Sequence, residues 1–298
     1  MFWRVKLVMR DLHLEIDNFL MERNLKFTRD NKDPYVTRIL FPDNSSFSLF
    51  DDRWACKRAL VEGVIASRSG NCNTVFARKC NILRHGEDNL HLFKDFLDMY
   101  HFYGNAKAKY YLGLEYEGRL VAVASFSQSR PLPRKDGTEA DRTVSVPKEL
   151  NPIYNSGIYE GATSANISGN AKEVPYKIVI VDSYEWVRYA SLPGLRVVGG
   201  MGRLLKEFER GFCREAESKN HRPYEIMSYA DLEFSGGDTY RKLGFLECGV
   251  RQPVEFTVIA GSYERVPLSR ISEEEKDTIL YRFFNMGSVK YIKPFVTV

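Results

Sequence analysis

The sequence predicts an α+β protein, a mixed sheet flanked by helices with a small helix-plus-meander unit in front of it. Three observations predict it. Before residue 72, one amphipathic stretch precedes three short strand-like runs. From Val75 onward, strands and helices succeed one another as β, α, β, β, insertion, β, α, β, α, β. Between two of those strands, the glycine-rich run VVGGMG opens a helix.

Taken in order, Leu12, Ile16, Phe19 and Leu20 recur at helical spacing, so a first helix runs from about Val8 to Arg23 and stops at Asn24. LKFTRD, YVTRILF and SFSLF then read as strands separated by the turn compositions DNKDP and PDNSS. DDRWACKRALVEGVIASRSG reads as a helix that Asp51 and Asp52 are expected to cap. The turn after it sets a boundary between a small unit and linking helix at 1–72 and a larger domain at 73–298.

In the larger domain, a strand is expected from Ala77 to Leu83 and a helix from Asp88 to Tyr100, with Leu90, Phe93, Phe96, Leu97 and Tyr100 on one stripe. YYLGLEY and LVAVASFS form a hairpin about EGR, and the second, apolar on both faces, reads as a central strand. Residues 129–172 carry Pro, Gly, Ser, Asn and charge with weak periodicity, as a long insertion does. KIVIVD and YEWVRYAS resume regular structure, with Glu185 and Val187 expected on one face and Trp186 and Arg188 on the other. PVEFTVIAG reads as a strand, ISEEEKDTILYRFFNMG as a helix and VKYIKPFVTV as a closing extended tail.

At 298 residues, with 44% hydrophobic and 28% charged side chains, the chain is long enough for two unequal domains, and no apolar run reaches the length of a membrane span. A net charge of +4 permits contact with nucleic acid without requiring it. Cys56, Cys72, Cys80, Cys213 and Cys248 are odd in number and scattered, unlike a secreted disulfide framework. A reducing compartment is expected, the cytoplasm, or an organelle matrix if a presequence has been removed. Cys72 and Cys80 lack metal-ligand spacing and read as half-buried thiols, and the N-terminus lacks the features of a secretory signal.

VVGGMG places Gly199, Gly200 and Gly202 between a strand and a helix start, where bare backbone and unpaired N–H groups suit a diphosphate. It lacks the GxGxxG spacing of dinucleotide folds. It does resemble the acyl-CoA pyrophosphate loop of the GCN5-related N-acetyltransferase (GNAT) superfamily, which reads Gln or Arg, two residues, Gly, one residue, Gly or Ala. Gly200 and Gly202 match those glycines and Val197 stands at the polar position. Downstream, GGDTYRKLGF resembles that family's closing helix and turn.

The resemblance implies acetyl-CoA or another acyl-CoA held by Val198, Gly199, Gly200, Gly202 and Arg203, and Tyr240 as a general acid near the cofactor sulfur. Acyl transfer to an amine also needs a base, for which Glu185, Asp231 and Glu233 are the candidates. His101, ending an apolar helix, reads as a packed or exposed histidine rather than a base.

From Thr37 onward, RILF, FARKC, YYLGLEYEGRLVAVASF, VVGGMGRLLKEF and IMSYADLEFSGGDTYRKLGF also resemble the C-terminal portion of phage-encoded homing-endonuclease-like proteins. The unit in front is too short for their nuclease domain, so DNA cleavage is not expected. A basic and aromatic patch is expected from Arg78, Lys79, Arg84, Lys107 and Lys109 with Phe76, Tyr103, Tyr110 and Tyr111, able to meet DNA or RNA. Two readings of function result. One is a GNAT-like acyl-CoA-dependent transferase acting on a nucleobase or a nucleic-acid-associated amine. The other is a non-catalytic module of the same fold that binds nucleic acid, or a protein through residues 129–172.

Overall fold

The computed structural model describes residues 2–29, 33–135, 158–160, 177–213 and 222–293. Helix α1 (Phe2–Glu22) ends at Asn24, which takes a left-handed φ of 54°. Strands β1 (Lys26–Arg29), β2 (Val36–Leu40) and β3 (Ser46–Phe50) follow as an antiparallel meander, and α2 (Asp51–Arg68) closes the unit. Ile16, Phe19 and Leu20 of α1 pack with Ile39, Phe47, Leu49, Trp54, Val61 and Ile65, all buried.

Asp51 and Asp52 do not cap α2 as expected; Phe50 holds the N-cap position and no side chain caps it. Both carboxylates are buried in the first turn. Asp51 accepts from His13 at 2.6 Å and Asp52 takes a two-pronged bond from Arg265, both contacts at 2.9 Å. A buried carboxylate needs a strong side-chain partner more than a local amide, so residues distant in sequence win over the cap.

Among the described residues, the main sheet holds nine strands. Its path runs β13 (Leu246–Arg251), β17 (Ser288–Lys293), β12 (Tyr224–Asp231), β10 (Lys177–Ser191), β7 (Arg119–Phe126), β6 (Tyr110–Tyr116), β5 (Asn81–Arg84), with β8 (Arg130–Lys135) and β9 (Ile158–Glu160) paired to β10. All pairs are antiparallel except β10 with β12, so the sheet is mixed as expected. β7 is internal, as its apolar run requires, and the β6–β7 turn uses Glu117 and Gly118 at φ of 51° and 74°, a twist-compatible tight turn.

Helix α3 (Leu90–Tyr100) covers one face of the sheet through Phe93, Phe96 and Leu97. Helix α4 (Gly200–Phe208), continued by a π-helical turn over Glu209–Cys213, covers the other, with Phe208 stacked on Phe126 at 3.8 Å between ring centroids. Two strands outside the main sheet, β4 (Asn73–Phe76) and β11 (Leu195–Val198), pair in parallel just before α4. The short helix α5 (Asp238–Lys242) follows β12.

Three sequence expectations are corrected. The stretch 77–83 is broken by a 3₁₀ turn at Ala77–Lys79, closed by the Cys80 N–H on the Ala77 carbonyl, so the strand begins only at Asn81. The expected helix over ISEEEKDTILYRFFNMG is a turn followed by strand β16 (Ile279–Phe284), paired with β14 (Glu255–Ile259), which also pairs with β15 (Arg265–Pro267). Tyr281 and Phe283 are buried while Arg282 and Phe284 are exposed, a two-residue period that overrides the helix-favouring acids. The expected closing tail enters the main sheet as β17, beside a strand, β13, that lacked an alternating signal.

The sequence boundary at residue 72 is crossed by packing. Val36 and Phe50 share a core with Val258, Tyr281 and Phe283, and Tyr35 stacks on Tyr281 at 3.9 Å. Phe234 lies against Phe47 and Phe102. Of the expected insertion, 129–135 and 158–160 lie along or next to strands on β10, and the remainder falls outside the described residues.

Candidate functional site

Strands β10 and β12 pair only over Asp182–Glu185 with Tyr224–Met227. Beyond that register they part: β10 continues along β7, and β12 along β17. Tyr240, on α5, reaches this parting. Its hydroxyl donates to Ser228 Oγ at 2.9 Å, and the Ser228 hydroxyl donates to the Trp186 carbonyl at 3.0 Å. The Trp186 ring meets Tyr189, Tyr240 and Phe245 on the same side of the sheet. Burial pushes the Tyr240 pKa up, so its proton stays on oxygen near neutrality.

The expected sorting of 185–188 between faces is corrected by a bulge in β10 between Trp186 and Arg188. Arg188 is turned away from Trp186: its Nε donates to the Gly104 carbonyl at 3.2 Å and its guanidinium lies 5.9 Å from the Tyr103 ring. Burial lowers the Arg188 pKa, while Tyr103 and Glu185 act in the opposite direction; strand alternation puts Glu185 opposite Trp186, and so on the Arg188 side.

The three candidate bases differ in what already holds them. Asp231 accepts the Tyr103 hydroxyl at 2.6 Å on one oxygen and the Glu233 N–H at 2.9 Å on the other. Glu233 is 1% exposed, bonds Arg265 and lies 3.5 Å from Arg53, and burial raises its pKa. Glu185 is half-buried, with its backbone fastened to Ser127 on both sides, N–H to Oγ and C=O from N–H, each at 2.8 Å. Among the described residues its carboxylate has no hydrogen-bond or ion-pair partner. His101 is packed: Nδ1 accepts the Tyr103 N–H, and burial first, then Arg188 and Arg53, lower its pKa to about 3.

At the glycine turn, Gly199 takes a φ of 77° at the N-cap of α4, and the first helical bond closes from the Arg203 N–H to its carbonyl. The N–H groups of Gly200, Met201 and Gly202 precede that bond and point out of the helix start. A Cβ on Gly200 would lie 2.5 Å from the Tyr189 hydroxyl, and one on Gly202 would lie 3.1 Å from Leu243. All three glycines therefore have reasons internal to the fold. Val197 faces the core, Val198 and Arg196 are exposed, and Arg203 is bonded to the Ala77 carbonyl, strapping the 77–79 turn to α4.

An acyl-CoA fits this arrangement at one end more readily than at the other. The α4 start is open to solvent at Gly199 and no carboxylate occurs between residues 186 and 206, which suits a diphosphate. At the thioester end, the Trp186 carbonyl is reachable only if the Ser228 and Tyr240 hydroxyls give way.

The expected nucleic-acid residues do not converge. In the β5–β6 pair Asn81 lies opposite Glu115 and Arg84 opposite Leu112, so Arg78 and Lys79 fall beyond one end of β6 and Lys107 and Lys109 before the other. Seven strand residues, roughly 20 Å, separate the two groups. Arg84 is paired with Glu207.

Sequence reasoning missed Ser228 and Tyr189, and it assigned Tyr103 to the nucleic-acid patch rather than to Asp231. Tyr103 and Asp231 are 128 positions apart and no local pattern links them. Among the described residues, no group of His, Cys, Asp and Glu is placed to hold a metal, and no helix is long and apolar enough to cross a membrane.

No protein-family model and no curated protein sequence matches the chain. Solved structures that match include a polyamine N-acetyltransferase of Drosophila melanogaster, at TM-score 0.33 and 8% identity over 72% of this chain and 98% of that one. Another is the C-terminal condensation domain of Ebony in complex with β-alanyl-dopamine, at TM-score 0.33 and 9% identity over 73% of this chain and 99% of that one. Likenesses this remote leave the chemistry to the site itself.

Proposed function

We propose that the chain is a GNAT-like acyltransferase that uses an acyl-CoA to acylate an amine, with a nucleobase or a nucleic-acid-associated amine as the narrower acceptor class. The observation that carries this reading is the parting of β10 and β12, with Tyr240, a protonated hydroxyl, on one face of the sheet there and Glu185, whose carboxylate has no partner among the described residues, on the other.

The roles derive from those two groups. An ammonium acceptor must lose a proton before its nitrogen attacks, and Glu185, whose carboxylate has no partner among the described residues, is the carboxylate able to take it. A departing thiolate must be protonated, and the Tyr240 hydroxyl holds a proton at Oη under neutral conditions. The cofactor, when bound, supplies the thioester as activated acyl donor. The amides at the start of α4, with Arg196 beside them, would hold its phosphates.

Calorimetric titration with acetyl-CoA tests the reading directly. Binding, together with a loss of kcat of about 10²-fold or more in Tyr240→Phe and in Glu185→Gln at little changed KM, is the expected result. Absence of heat and an unmoved melting temperature at high cofactor concentration would sink it.

One specific observation favours the alternative, a non-catalytic binding module of the same fold. Tyr189 occupies the space that glycine leaves at residue 200, and the Tyr240–Ser228–Trp186 chain of hydrogen bonds closes the parting from within. On that reading Tyr240→Phe destabilises the fold and changes no turnover.

A further inference from the structure

We infer that the outward face of the β4–β11 ribbon, with the 77–79 turn, is a docking surface for single-stranded nucleic acid. The inference concerns a different ligand from acyl transfer and shares only Arg196 with that reading.

The ribbon has two unlike faces. Val75, Leu195 and Val197 turn inward onto the main core. On the other face Phe76 and Val198 are register partners and are 42% and 37% exposed, high for large apolar side chains sitting side by side. Arg196 and Thr74, the partners two positions earlier, are exposed on the same face. The Arg78 guanidinium lies 4.9 Å from the centre of the Phe76 ring, and Lys79 beside it is exposed.

The two segments themselves carry charge of one sign. The two segments that build it, residues 70–86 and 186–206, contain no Asp or Glu. Among the described residues, Arg78, Lys79 and Arg196 have no carboxylate partner. Unpaired cations on both sides of an exposed aromatic ring match a polyanion that also carries flat apolar groups: phosphates meet the guanidiniums and an unstacked base lies on Phe76. An acidic peptide would satisfy the cations and leave the ring and Val198 uncovered. A duplex would present no free base face. The bond from Arg203 to the Ala77 carbonyl fixes the turn to α4, so the cations are displayed from a preformed support.

The test is fluorescence anisotropy of the full chain with a labelled 12-nucleotide single strand, as DNA and as RNA, over a salt series. Binding should weaken with salt at a log–log slope of ~2, as about three phosphate contacts imply. The double variant Arg78→Gln with Arg196→Gln should weaken binding at least about 10-fold and flatten the slope. Phe76→Ala should weaken it about 10-fold with the slope retained, a split that charge alone would not produce. Lys107→Gln with Lys109→Gln, at the far end of β6, should leave the affinity unchanged. No binding at low salt, or equal binding by the Arg78/Arg196 variant with its fold verified by circular dichroism, overturns the inference. So does full displacement of the strand by an equal concentration of poly-glutamate or of 3′-phosphoadenosine 5′-diphosphate, which would assign the face to acidic protein or to a nucleotide head.

Discussion

Single side chains at the parting of β10 and β12 have sharply different environments, and that is where their behaviour can be checked. Gly200 gives its side-chain space to the Tyr189 hydroxyl. Gly200→Ala should therefore destabilise the fold by about 1–3 kcal/mol, and Tyr189→Phe in the same chain should recover part of that loss. If the alanine variant melts like the parent, the turn is glycine-rich for a ligand and not for Tyr189. His101 offers a pH test. Its pKa falls from about 6.5 to about 3 on folding, so between those values the unfolded chain binds the extra proton. The contribution of His101 is complete above pH 6.5 and is lost as pH drops towards 3, reaching ~2 kcal/mol of lost stability at pH 5. In His101→Asn, which keeps an acceptor for the Tyr103 N–H, urea midpoints should fall less steeply over that range.

Among the elements, β10 and the β4–β11 ribbon do the positioning. A bulge of one residue in β10 separates Arg188 from Trp186 and leaves Glu185 and Arg188 on the side away from Tyr240. Uniform alternation would have put Glu185 there too but Arg188 on the Tyr240 side. The ribbon is attached to α4 by Arg203 on the Ala77 carbonyl. Arg203→Met keeps the stem and removes the donor, so the 77–79 turn should loosen at a cost of about 1–2 kcal/mol. Faster hydrogen exchange at the Cys80 amide, which bonds the Ala77 carbonyl, would report it. An unchanged Cys80 exchange rate would mean the strap holds nothing.

Across the whole molecule, a buried cluster ties the N-terminal unit to both later sheets. Asp52 and Glu233 share Arg265, with side chains 3%, 1% and 6% exposed, and Arg53 joins them through Glu233 and the Tyr103 ring at 4.3 Å. Removing one member leaves a buried charge unpaired, so Arg265→Met should cost about 3–5 kcal/mol. The parent chain should melt in one transition, and the variant should show the 1–72 unit and the β14–β16 layer loosening together in hydrogen exchange. Two well-separated transitions in the parent would show that the shared core of Val36, Phe50, Val258, Tyr281 and Phe283 does not couple them.

By itself the sequence determined the α+β class, the α1–meander–α2 unit, α3, the β6–β7 hairpin and the glycine turn into α4. Each is set by local periodicity, by turn residues or by a backbone angle that one residue type accepts. It could not place β13 or β16, short strands amid misleading charge, and it grouped Lys107 and Lys109 with Arg78, which the sheet sets at opposite ends of β6. Only the tertiary structure decided which carboxylate is free. Asp231 is taken by Tyr103 and Glu233 by Arg265, partners 128 and 32 positions away, while Glu185 is left open where two strands separate. Hydrogen bonds between such distant residues exist only once the sheet has ordered its strands, and a linear pattern carries no trace of them.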